Sequence, residues 1–208
     1  TPKPSSAASD VYKRQVWTSP KQAKIQVDNI VNTLSQASPQ AKDAFTAAGK
    51  KYTDQLEDLD KWASDSMSAV PEQDRVLFSS HDAFGYFSNA YGVKFIGSAL
   101  SDFNNQQDAT SSHIDEQVKK VRESGAKAIF AENSNSSKSI EAIARAAGVK
   151  AVTSDDALYG DSLGVPGSEG ETYIGSIVHN INTLVSAWDS EQQPLPESLQ
   201  AFDVAKRK

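Results

Sequence analysis

Three histidines and no cysteine narrow the chemistry open to this chain. Without thiols, disulfides, cysteine nucleophiles and cysteine-based zinc sites are all excluded. Among His81, His113 and His179, the first stands out by context: it directly follows Ser79-Ser80 at the end of the apolar run Arg75 to Ser79. Neutral imidazole is the commonest protein metal ligand, and a strand end would hold it on rigid backbone. Taken alone, a hydrogen-bonded or surface histidine is the competing reading. Asp161 lies in the Gly/Pro/Asp-rich loop from Asp155 to Gly170, where an aspartate in isolation more often stabilises a turn. Glu132, at the end of a strand expected over Ala128 to Ala131, faces the same sheet edge, where a carboxylate can orient a neighbouring ligand. Asp82 is expected to cap the helix carrying Phe84, Phe87 and Tyr91. His113 reads as a capping or surface residue near the start of a helix over Ser112 to Ser124. His179 reads as a packed or hydrogen-bonded residue of the last helix.

These residues need elements to place them. Ser19-Pro20 and Ser38-Pro39 each set a capping hydroxyl before a proline at the first helical position. The first helix is expected to run to about Ser35, with Val27, Ile30, Val31 and Leu34 as its apolar stripe. In the second, Phe45, Ala48, Tyr52, Leu56, Leu59, Ala63 and Met67 recur every three or four residues to about Ala69. That predicts a rod of roughly 45 Å at ~1.5 Å per residue, slightly weakened by Gly49. It suits a rigid spine between two lobes, an ordinary long surface helix being the alternative. Beyond Pro71, helix, glycine and short strand repeat: Gly92 to Ile96, Gly125 to Phe130 and Gly148 to Val152. Each glycine suits the left-handed position that closes a helix. Strands alternating with helices imply an α/β fold with a parallel sheet of about four strands. In such sheets ligands sit beyond the carboxyl ends of the strands, where His81, Glu132 and the Asp161 loop all fall. The last helix carries Ile174, Ile177, Val178, Ile181, Leu184, Val185 and Trp188 on its apolar side.

The bulk properties exclude other classes. A net charge of −6 with 21 Lys and Arg against 27 Asp and Glu leaves no basic cluster for nucleic acid. No apolar run approaches the ~20 residues of a membrane-spanning helix, and no export signal is visible. Thr1 to Ala8 is Pro/Ser-rich, and Asp10-Val-Tyr-Lys-Arg-Gln15 resembles the translated end of a transposon used in preparing sequencing libraries. Residues 1–15 are therefore expected to be a disordered or artefactual tail joined to a truncated gene, a natural linker being the alternative.

Three separated motifs, in order, resemble the metal-binding solute-binding proteins of zinc and manganese ABC importers. They are His81-Asp-Ala-Phe-Gly-Tyr-Phe-Ser-Asn-Ala-Tyr-Gly-Val-Lys-Phe-Ile-Gly97, Ala126-Lys-Ala-Ile-Phe-Ala-Glu132 and Leu158-Tyr-Gly-Asp-Ser-Leu-Gly164. Val16-Trp-Thr-Ser-Pro20 resembles the family segment that follows its second metal histidine. The resemblance implies that residues 16–37 are the remnant of an N-terminal lobe, 38–71 the connecting helix and 72–208 the C-terminal α/β lobe. It implies His81 and Asp161 as ligands of a divalent cargo, Zn2+ or alternatively Mn2+. It also implies an ABC permease as membrane partner, export, and usually a lipid anchor outside the membrane. The family's two remaining ligands are histidines; one would fall at Gln15, the other further upstream. Two protein ligands leave half of a tetrahedral zinc shell to water, so the chain as it stands is expected to bind metal weakly or not at all.

Two other classes compete. Gly160-Asp161-Ser162-Leu163 spells the signature of a lipase and esterase family, with Ser162 as nucleophile. That family places the motif early and its base histidine shortly after an aspartate. Here the motif is late, and His179 has no aspartate three residues before it. A serine without an oriented base is inert. A surface-adhesion module is the third class, and no feature of the sequence supplies a second binding face for it.

Overall fold

A computed structural model describes residues 15–100 and 111–203; of the expected tail 1–15 only Gln15 is among them, and the closing Lys-Arg-Lys lies outside the described residues. A 3-10 turn over Val16–Thr18 leads into helix α1, Pro20–Ala37. After a second 3-10 turn at Pro39–Ala41 comes α2, Lys42–Ser68, about 40 Å at 1.5 Å per residue. Both prolines open their turns as expected, but neither serine hydroxyl bonds the helix it precedes.

The two helices form an antiparallel hairpin. The expected α1 stripe is only partly covered: Val27 and Val31 are half-buried, whereas Ile30 and Leu34 are 57% and 43% exposed. On α2 the stripe is buried from Leu56 to Met67 and gains Trp62, while Ala48 is exposed. The physical reason is local: α2 packs into the main core from about Tyr52 onward, whereas Gly49 packs on α1. Gly49 has a packing role, because a β-carbon there would collide with the Val31 side chain. The glycine that weakens the helix as an isolated element lets the two helices close.

Strands β1 (Val76–Ser79), β2 (Lys94–Ser98), β3 (Ala128–Phe130) and β4 (Lys150–Val152) follow, interleaved with α3 (Gly85–Tyr91), α4 (Ser111–Ser124) and α5 (Lys138–Ala147). Gly92, Gly125 and Gly148 adopt φ of 63°, 75° and 78° ahead of β2, β3 and β4, the left-handed closure expected of them. All pairing is parallel, but the ladder is not continuous: β1 pairs with β2 and β3 with β4. β1 and β3 run side by side, joined at their carboxyl ends by side chains. Glu132 N–H donates to Ser80 Oγ at 3.1 Å, and His81 N–H donates to Glu132 Oε1 at 3.0 Å. The expected four-strand sheet is thus two strand pairs stitched together at the edge where ligands would bind.

Helix α6 (Tyr173–Ala187) closes the fold. Successive strand residues point to opposite faces, so the sheet divides two cores. Val76, Phe78, Ile129 and Ala131 pack with Val118, Val121, Ile140 and Ile143 of α4 and α5. Leu77, Ala128, Phe130 and Val152 pack with α2, α3 and α6, where the Trp188 ring stands edge-on to Phe130 at 6.3 Å. Residues 193–203, which have no periodic signal, lie back on α2 through buried Leu195 and Leu199. Among the described residues no helix is long and apolar enough to cross a membrane.

Gly49→Ala is expected to destabilise the chain by about 1–3 kcal/mol through overpacking, despite the ~1 kcal/mol gain in helix propensity. Thermal melts check this, and Val31→Ala should restore most of the loss in the double variant. An additive double variant would show that the collision does not govern the site.

Candidate metal centre

His81 is held at every backbone atom that can bond. Its N–H donates to Glu132 Oε1, and its carbonyl accepts from Ser79 Oγ at 2.6 Å and from the Ala83 N–H at 3.0 Å. Asp82 is exposed and does not cap a helix; α3 begins at Gly85 behind Phe84, with no side-chain cap. The tight turn through Ala83, whose amide already bonds His81, delays the helix past the reach of Asp82.

The imidazole lies between two carboxylates. Its Nδ1 is 2.8 Å from Glu132 Oε2 and its Nε2 is 2.8 Å from Asp161 Oδ2. Asn135 Nδ2 also lies 3.3 Å from Nδ1. His81 is 5% exposed and Glu132 1%. Burial disfavours the imidazolium, but the hydrogen bond and charge of Glu132, then the charge of Asp161, outweigh it and raise the His81 pKa above its ordinary 6.5. Gln15 completes the group: its Nε2 lies 3.1 Å from His81 Nε2 and 3.1 Å from Asp161 Oδ1.

Short polar contacts hold both flanks. Trp17 Nε1 donates to the Gly160 carbonyl at 2.8 Å, and Tyr173 Oη donates to the Trp17 carbonyl at 2.7 Å. Burial holds the Tyr173 phenol above its ordinary pKa, so it stays a donor. Thr18 Oγ1 donates to the Gln15 carbonyl at 3.1 Å. Gly160 passes so close to Glu132 that an added β-carbon would sit 2.5 Å from Oε2.

The three residues singled out in the sequence are therefore together at one strand edge. They do not all face one point: Glu132 is on the Nδ1 side of the ring, Asp161 and Gln15 on the Nε2 side. Accordingly, among the described residues no group of three His, Cys, Asp or Glu could hold a metal ion. His113 is elsewhere, with Nε2 3.1 Å from the Ala99 carbonyl. His179 is buried between Glu169 and the Ala157 carbonyl. Ser162 Oγ accepts from Asn133 Nδ2 at 2.8 Å, and His179 is engaged with other partners, so the esterase constellation is not assembled. Sequence reasoning missed Asn135 and the clasping role of Trp17; only a neighbour in space defines either.

An imidazole and two carboxylates at the carboxyl edge of a parallel α/β sheet stand where sheets of this kind bind ligands. Comparison with known proteins gives the family. The family model described as "Zinc-uptake complex component A periplasmic" matches residues 5–187, starting inside the expected tail. The manganese-binding lipoprotein MntA of Bacillus subtilis (strain 168) is 40% identical over 178 residues, spanning 85% of this chain and 58% of the relative. The zinc-binding protein TroA of Treponema pallidum (strain Nichols) is 32% identical, spanning 85% and 57%. The solved structure of the periplasmic zinc-binding protein TroA from Treponema pallidum superposes with a TM-score of 0.77 at 30% identity, covering 86% of this chain and 64% of that one. The chain belongs to the family of the periplasmic zinc-uptake component. It spans a little under three fifths of the curated relatives' length.

The raised His81 pKa fixes the sign of one expectation. Stability from the His81–Asp161 contact is present below the unfolded value of about 6.5 and lost as pH rises through the folded value. In melts of the metal-free chain, Asp161→Asn should therefore cost more at pH 6 than at pH 9. An equal cost at both would show that the pair does not interact through charge.

Proposed function

We propose that this chain is the larger part of an extracytoplasmic solute-binding protein that captures a divalent transition metal for an ABC importer. The single observation that carries the reading is the convergence of His81 Nε2, Asp161 and the side chain of residue 15 on one point at the strand edge. His81 and Asp161 would supply one nitrogen and one oxygen donor to the cargo. Glu132, on the other ring nitrogen, would fix the imidazole's orientation and raise its basicity, the role a carboxylate plays behind a metal-bound histidine. Residue 15 stands where the family resemblance expects a further histidine. Gln15 is a poor substitute, because a neutral amide brings no charge and a weak donor atom.

Within this reading residues 16–37 belong to an N-terminal lobe, 38–71 to the connecting helix and 72–208 to the C-terminal lobe. Zn2+ is favoured over Mn2+, since an imidazole at position 81 is the softer donor and a carboxylate there would suit manganese. Relatives support both: MntA of Bacillus subtilis is named manganese-binding and TroA of Treponema pallidum zinc-binding. The loaded protein would dock on a membrane permease, as a receptor rather than a catalyst. Relatives named as lipoproteins of metal ABC transporters support a cell-surface or periplasmic location.

Calorimetric titration with Zn2+ and Mn2+ tests the proposal. The chain should bind zinc weakly, lose binding in His81→Ala and in Asp161→Ala, and weaken about 10–100-fold in Glu132→Gln. Gln15→His should tighten zinc binding and favour zinc further over manganese. Because protons compete for His81, whose pKa lies above 6.5, affinity should already fall between pH 7.5 and 6 and keep falling to pH 5. Unchanged zinc affinity in Gln15→His, or a titration flat across that range, would count against the site.

A further inference from the structure

Asp161 sits in the part of the chain least able to place it. Between β4 and α6, residues 153–172 contain four glycines and a proline. Apart from a single bridge between Glu132 and Leu158, no strand pairing holds them. Such a segment has no intrinsic preference for one conformation, yet its carboxylate stands 2.8 Å from His81.

Beside the bonds of Trp17 to Gly160 and of Asn133 to Ser162, the restraint comes from α6. Asn180, 1% exposed, uses both ends of its amide on one residue: Oδ1 accepts from the Tyr159 N–H at 2.8 Å, and Nδ2 donates to the Tyr159 carbonyl at 2.9 Å. Tyr159 is two positions before Asp161. The preceding helix residue, His179, brackets the same segment. Its Nε2 lies 3.1 Å from the Ala157 carbonyl and its Nδ1 3.0 Å from Glu169 Oε2, with Thr183 Oγ1 3.4 Å from Nε2. Its ring also meets Tyr159 edge-on at 4.9 Å. The anchor beneath them is rigid, since Ile174, Ile177, Ile181, Leu184 and Val185 of the same helix are buried in the core. Two adjacent buried polar residues on an otherwise apolar helix are costly unless bonded, and here, apart from the contact of His179 with Thr183 on the same helix, their side-chain bonds go to the segment that carries Asp161.

We infer that His179 and Asn180 act as one clamp that sets the position of Asp161 relative to His81, holding the carboxylate in place before any metal arrives. Their role is positioning: neither touches His81 or Asp161. The inference builds on the reading of Asp161 as a metal ligand, but its geometric content is open to test without metal.

The test uses the whole chain and the ring-nitrogen NMR shifts of His81 at fixed pH, without metal. Asp161→Asn supplies the spectrum of a lost contact. Asn180→Leu should move the His81 shifts at least half-way to that reference. Glu169→Gln, a change at a half-exposed position, and His179→Phe, which keeps a ring against Tyr159, should move them part of the way. Ile181→Val, which loosens the same helix without touching the clamp, should leave them unchanged. Wild-type shifts in folded Asn180→Leu would overturn the inference. If Asn180→Leu does not fold, wild-type shifts in both Glu169→Gln and His179→Phe would overturn it equally. Adding Zn2+ alone separates the two readings. With the clamp intact, the His81 resonances should respond to zinc, and Asn180→Leu should need roughly tenfold more zinc or beyond. A wild-type His81 indifferent to zinc would sink the metal reading, while the metal-free spectra still decide the clamp.

Discussion

A buried imidazole between two carboxylates is an arrangement that a protein can keep only by holding all three groups from several directions. Each charge loses hydration, and the mutual attraction compensates only while the geometry is maintained. In this chain Glu132 does the most to maintain it. One carboxylate oxygen binds the His81 backbone and the other faces the ring, so backbone and side chain are fixed by the same residue. The same contact joins β1 to β3 where the backbone ladder is interrupted. Removing the Glu132 side chain would therefore both cut one of the two hydrogen bonds at the seam of the sheet and take the carboxylate from the Nδ1 side of the ring.

The Nε2 side is built differently, from segments that have little structure of their own. Asp161 is delivered by a glycine-rich loop and Gln15 by the stretch before a 3-10 turn. Each is fastened by side chains whose own anchors are firm: Asn180 and His179 on α6, Trp17 on Gly160, Tyr173 on Trp17. Under the proposed function this division would suit a carrier: one ligand would be held by a strand end, and the other by a segment whose attachment depends on a few hydrogen bonds.

The helical hairpin makes a separate contribution. From Tyr52 onward α2 packs into the main core, while Gly49 before it packs on α1. The exposed Ile30 and Leu34 lie on α1 near the level of Gly49 and beyond, away from the main core. Gly49 lets the two helices approach closely enough for the hairpin to remain one body over this length.

Much of this architecture was legible in the residues themselves. Helix periodicity, the glycines that end helices and the short apolar runs are local signals, set by backbone sterics and by which face of an element is apolar. They located every strand within about two residues and placed His81, Glu132 and the Asp161 loop at one edge, because parallel strands carry their following residues to the same side. What remained invisible depended on neighbours distant in sequence. Nothing local says that Asp82 would miss its helix, that the sheet would split into pairs, or that Ile30 and Leu34 would stay exposed. Nor could spacing reveal that Glu132 and Asp161 take opposite nitrogens of one ring, or that Gln15 would reach both His81 and Asp161. A side chain's type and its element can be read along the chain. Which atom it faces is decided by packing across 50 to 150 residues of separation, and only the folded molecule carries that information.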